Sequence, residues 1–135
     1  MADVDILALY VAYLDGVLDS EVAVATRVPP GQRPAKFVQP RLIGWPKLPP
    51  VRRIARISVD CWGNDVGDED GAMALGIAVR DATDALYGTE LLGSGLTVYR
   101  IEESAGLHQS EDPQSHIAQA SATYAITHRD NAVIR

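Results

Sequence analysis

Cysteine is nearly absent from this chain of 135 residues: Cys61 stands alone, so neither an intrachain disulfide nor a cysteine cluster can form. Its position on the apolar side of a strand pattern makes it a small core residue and not a nucleophile. No run approaches the roughly 18 uninterrupted apolar residues of a membrane-spanning helix. Asp3 and Asp5 stand where a secretory leader would carry positive charge, so export by that route is not expected. The three histidines, His108, His116 and His128, fall at neither His-x-x-x-His nor Cys-x-x-His spacing, which removes the usual zinc arrangements. Ser104, Ser110 and Ser115, with Asp112, lie in no nucleophile-elbow context. Leu92-Gly93-Ser94-Gly95 lacks the lysine of a phosphate loop and precedes a strand pattern, not a helix. The sequence therefore predicts no catalytic constellation, no metal and no cofactor.

What is present is a globular composition. An apolar fraction of 47% and a mean hydropathy of −0.02 are those of a folded domain, and residues 1–135 are enough for one domain and too few for two. The net charge of −6 conceals a division. Arg27, Arg33, Lys36, Arg41, Lys47, Arg52, Arg53 and Arg56 form a segment with no acid, while from Ile57 to Pro113 only Arg80 and Arg100 oppose the acids. A one-sided basic segment can be a nucleic-acid footprint. Little aromatic interleaving and an acidic whole favour a bipolar surface, of the kind that lets subunits meet head to tail.

The stretch from Val51 to Trp62 organises the rest. With the period of two of a pleated strand, Ala55, Ile57, Val59 and Cys61 share one side, and Arg52, Ile54, Arg56, Ser58, Asp60 and Trp62 the other. Before it, Asp3 or Asp5 caps a helix reaching about Leu18, with Ile6, Tyr10, Tyr13 and Val17 on one face and Leu7, Val11, Leu14 and Leu18 beside it. Glu21 to Val28 and Phe37 to Ile43 read as two strands of a hairpin with a long loop through Pro29, Pro30 and Pro34. Pro40 places the second of them at an edge or a bulge.

After Gly63-Asn64, the acids Asp65 to Asp70 open a helix from about Glu69 to Tyr87. Its stripe is Ala72, Leu75, Val79, Ala82 and Leu86, widened by Ala78 and Ala85, and Gly88 ends it. Leu96 to Ile101 is a strand, with Leu96, Val98 and Arg100 against Thr97, Tyr99 and Ile101. Glu102 to Ser115, with Gly106 and Pro113, reads as a mobile loop. Ile117 to Arg129 is the last strand, with Ala118, Ala120, Ala122, Tyr124 and Ile126 against Gln119, Ser121, Thr123 and Thr127. The order α-β-β-β-α-β-β predicts an α+β fold: about five strands in a mainly antiparallel sheet, two helices on one face.

Aligning Gly71 with the glycine of a calcium loop puts Val66 at its first position and Ile77 at its closing one, so an EF-hand is excluded. Carboxylates at a helix start cap free amides and suit the dipole, which accounts for the acidic run. Trp45, Trp62 and Tyr99 are candidate interface anchors, with Trp45 in its proline-rich loop the best placed of them to meet a partner and Trp62 also suited to a core or sheet-end role.

Several short motifs resemble one family. After an N-terminal helix come Arg33-Pro34-Ala35-Lys36-Phe37-Val38, then Arg41 and Gly44, then Ile57-Ser58-Val59-Asp60-Cys61-Trp62-Gly63 and an acidic helix start. The Asp112-Pro113 segment then leads to an end carrying Thr123, Tyr124, Ile126 and Arg129. This combination is similar to the tail terminator or tail-completion proteins of long-tailed bacteriophages, in the form carried by actinobacterial phages. The resemblance implies a non-catalytic virion protein at the head-proximal end of the tail, assembled in the host cytoplasm. It implies a homo-oligomeric, hexameric ring that docks on the tail tube protein, stops tube growth and meets the head-side connector protein. DNA would pass through an acidic lumen without sequence-specific binding. Interface candidates are Arg33, Arg41, Trp45, Arg52, Arg56, Asp60, Asp65 and Asp68. A head-tail connector ring is the alternative within the same machine, and a small nucleic-acid-binding module using Arg27 to Arg56 is the alternative outside it.

Overall fold

The computed structural model describes residues 5–27, 36–48 and 52–130. Helix α1 (Ile6–Val17) begins where expected: Asp5 accepts a hydrogen bond from the amide of Ala8 at 3.1 Å. Ile6, Tyr10 and Leu14, one turn apart, are its buried face. The strands are β1 (Ala23–Val24), β2 (Phe37–Gly44), β3 (Lys47–Leu48), β4 (Arg52–Trp62), β5 (Leu96–Glu111) and β6 (Ala118–Asp130), with helix α2 (Glu69–Asp84) between β4 and β5. The sheet order is β1-β2-β4-β6-β5, with β3 paired to the start of β4. All pairings are antiparallel except β1 with β2. Both helices pack on one face, so the α+β architecture is the one the pattern predicted.

Strand β4 carries the core. Ala55, Ile57, Val59 and Cys61 are each at most 2% exposed, and Ala118, Ala120, Ala122, Tyr124 and Ile126 of β6 lie beside them. A fully buried aliphatic side chain such as Ile57 contributes roughly 1.5–3 kcal/mol by leaving water. The helices are locked to each other by tyrosine hydroxyls. Tyr10 donates to Thr83 Oγ1 at 2.7 Å, which itself donates to the Val79 carbonyl, and Tyr13 donates to the Ala82 carbonyl.

Four expectations need correction. β1 is parallel to β2, so the two are not a hairpin: Ala23 and Ala25 donate to the carbonyls of Lys36 and Val38. The proline-rich loop expected between them, from Pro29 to Pro34, lies outside the described residues. Because Val38 turns its carbonyl toward β1, Pro40 turns its missing N–H to the same open side, and edge placement costs it no ladder bond. α2 ends at Asp84, short of Tyr87, and its buried face is Ala72, Leu75, Gly76, Val79 and Thr83; Leu86 just beyond it is also buried, while Ala78 and the cap residue Ala85 are exposed. The helix presents Gly76 to the sheet because there is no room for more: a Cβ there would stand 2.7 Å from Leu107 Cδ1 and 3.2 Å from Ala120 Cβ.

The third and fourth corrections concern β5. Glu102 to Glu111 is not a loop but the continuation of a 16-residue strand that pairs with the 13-residue β6 from end to end. The excess is absorbed at register shifts between Val98 and Arg100, Glu103 and Ala105, and Ala105 and His108. The first of these breaks the expected alternation, so Ile101 packs on the core and Arg100 is exposed. Within the last, Leu107 packs against the core.

Candidate interface on the helix-free face of the sheet

The pleat that buries Ile57 and Val59 turns Arg52, Arg56, Ser58 and Asp60 to the opposite, helix-free face. Their register partners on β6 are Arg129, Ala125, Thr123 and Ser121. β2 adds Gln39 and Arg41 to this face, and β5 adds Arg100, Glu102, His108 and Ser110. At one end Phe37 and Trp62 meet as tilted rings 6.2 Å apart, and Trp62, only 7% exposed, closes the sheet rather than offering an anchor.

Next to them lies a polar network. Asp60 accepts from Arg41 Nη2 at 3.0 Å and from Ser121 Oγ at 2.7 Å. Because Ser121 spends its one hydroxyl proton on Asp60, Ser110 donates to Ser121 across their 3.1 Å contact. These residues line an open cleft of about 520 Å³, with Glu111 and Asp112 on its wall. Asp112 accepts from both the amide and the hydroxyl of Ser115 at 2.8 Å, which holds its carboxyl below the usual range. Glu111 lies 3.1 Å from His116 Nδ1.

The far end of the same face is basic. Arg52 and Arg56 are exposed, and neither makes an ion pair with a described residue. Arg129 donates to the Tyr99 hydroxyl at 3.3 Å, and Arg100 pairs with Glu102. Among the candidate residues the fold therefore joins Arg41 to Asp60 and sets Arg52 and Arg56 at the other end.

The remaining candidates sit elsewhere. Trp45 is not free to meet a partner with its indole N–H, which donates to His128 Nε2 at 2.9 Å. His128 is 2% exposed, and the Arg53 guanidinium covers the Trp45 ring at 4.3 Å, so Trp45 seals the core where the helices do not reach. Asp68 is the cap of α2, accepting from Gly71 at 3.2 Å and from Asn64 at 2.7 Å. Its backbone leaves Gly63 no space for a side chain, since a Cβ there would stand 2.5 Å from the Asp68 carbonyl. Asp65 is exposed in the turn before it, its carbonyl accepting from Asp68. Arg33 lies outside the described residues. The Cys61 thiol is buried and pushed up to about 12, chiefly by loss of hydration and then by the Asp60 charge.

His108, Ser110 and Glu111 escape sequence reasoning as members of the Asp60 neighbourhood because their segment has the pattern of a loop, and nothing in the sequence pairs Ser121 with Asp60. The register shifts erase the period of two there, while the paired Gln119-Ser121-Thr123 alternation was in plain view. Among the described residues no group of three or more His, Cys, Asp or Glu could hold a metal ion, and no helix is long and apolar enough to cross a membrane. Compared with known protein families and with curated proteins, the chain matches none.

Proposed function

We propose that this chain is a structural subunit of an oligomeric ring that caps the tail tube of a long-tailed bacteriophage, ending tube growth and offering a surface for head joining. The motifs from Arg33 to Gly63 and from Asp112 to Arg129 motivate the family. The observation that best supports a ring subunit is the helix-free face of the sheet, whose ends carry opposite charge. A face lined by Arg52, Arg56, Ser58, Asp60, Ser121 and Thr123 is too polar for a core and well suited to meeting another polar surface. The partners in this reading are further copies of the chain, the tail tube protein and the head-side connector, with DNA passing through the lumen.

Tube-growth assays test it. Tail tube protein polymerising in the presence of this protein is expected to give tubes of arrested length with density at one end by electron microscopy. Tubes of unchanged length with bare ends at saturating protein would overturn the reading. Binding to the isolated head-side portal complex and not to tubes would assign the chain to the connector instead.

A further inference from the structure

The helix-free face has two ends that cannot satisfy each other within one molecule. Along the extended strand Arg56 is four residues from Asp60, about 13 Å, and Arg52 eight, about 26 Å, at roughly 3.3 Å per residue. Both separations exceed the screening length of about 8 Å at physiological ionic strength. The acidic end is the cleft beside Asp60, walled by Glu111 and Asp112. Arg41 lies within it and offsets Asp60, so the acidity of the cleft is that of Glu111 and Asp112. The basic end holds Arg52 and Arg56 without ion pairs to described residues, and Arg129 beside Arg52. β2 and β5 both carry register irregularities there. Ile43 (57% exposed) sits in that of β2, and Tyr99 (39% exposed) in that of β5. Exposed arginine together with an exposed aromatic and an aliphatic side chain is interface composition. Nucleic acid fits this face poorly, because Glu111 and Asp112 on the same surface repel phosphate.

We infer that this face binds a second copy of the chain head to tail: Arg52 and Arg56 of one copy enter the cleft lined by Asp60, Glu111 and Asp112 of the next. The inference rests on the ring-subunit reading and names the surfaces that reading leaves open. Each copy uses both ends, so the contact is heterologous and propagates until it closes.

Crosslinking tests it. A chain carrying Arg56→Cys and Glu111→Cys, at roughly millimolar concentration and treated with a short bismaleimide, is expected to give a ladder of dimers, trimers and higher species. The buried Cys61 stays silent, and each single-cysteine variant gives no ladder. Adding Arg52→Glu reverses one contact charge and is expected to suppress the ladder at least about tenfold, with circular dichroism unchanged. No linked species, or closed dimers alone, would overturn the head-to-tail contact. A ladder that Arg52→Glu leaves intact would overturn the charge pairing. Tube capping is scored separately: a variant that loses the ladder and still caps tubes sinks this surface and leaves the ring reading standing. Wild-type protein that forms the ladder and leaves tubes bare does the reverse.

Discussion

Two buried tyrosines show how differently the same hydroxyl can behave. Tyr10 is fully buried and donates to Thr83, whereas the hydroxyl of Tyr124 is buried without a hydrogen-bond partner among the described residues. Burial raises the pKa of both phenols, so both are neutral. Tyr10→Phe is therefore expected to cost about 1 kcal/mol, the net value of one buried hydrogen bond. Tyr124→Phe removes a group that already lacks a partner and should be neutral or slightly stabilising. Urea unfolding of the two variants checks the contrast, and equal losses would contradict it. A second residue carries strain in its backbone: Leu92 sits at φ 50 and is 54% exposed. Left-handed backbone costs a non-glycine residue roughly 1–2 kcal/mol, so Leu92→Gly is expected to raise the melting temperature despite the added freedom of the unfolded chain.

At the scale of elements, the β5–β6 hairpin is where sequence and structure part. The faces of β4 and β6 were legible because each strand runs its full length without a bulge and its buried side chains alternate strictly, from Ala55 to Cys61 and from Ala120 to Ile126. The caps were legible too, since Asp5 and Asp68 act within three residues of themselves. β5 was not: its extra residues shift the phase at each bulge, so its polar residues mimic a loop, and only pairing with β6 holds it straight. For the same reason the cleft beside Asp60 could not be assembled in advance, though Arg41, Asp60 and Ser121 were each on the page. The hairpin tip also predicts a pH effect. Asp112 has its pKa lowered in the folded chain by the Ser115 amide and hydroxyl. Its contribution is thus present above the unfolded value of about 3.9 and is lost as pH falls through the lower folded value. Amide exchange at Ser115, corrected for intrinsic rate, should therefore accelerate in acid below about pH 4. In Asp112→Asn it should be faster at neutral pH and lose that acid dependence.

For the molecule as a whole, one strand separates folding from assembly. Arg56 and Ile57 are neighbours on β4, yet Arg56 is exposed on the helix-free face and Ile57 is wholly buried between helices and sheet. Arg56→Glu removes no core contact, so it should change unfolding free energy by no more than about 0.5 kcal/mol, as surface substitutions do. It should nonetheless abolish self-association, because a carboxylate would then face the acidic cleft of the next copy. Ile57→Ala should do the opposite, costing about 2–5 kcal/mol of stability while leaving association intact at temperatures where the chain remains folded. Charge-driven contacts between exposed groups also weaken with salt, so wild-type association should fall as sodium chloride is raised and the unfolding midpoint in urea should hardly move. Light scattering paired with urea titration measures both quantities on the same samples. A shared loss in Arg56→Glu would place that residue in the fold, and an association untouched by the reversal would place the contact on another surface.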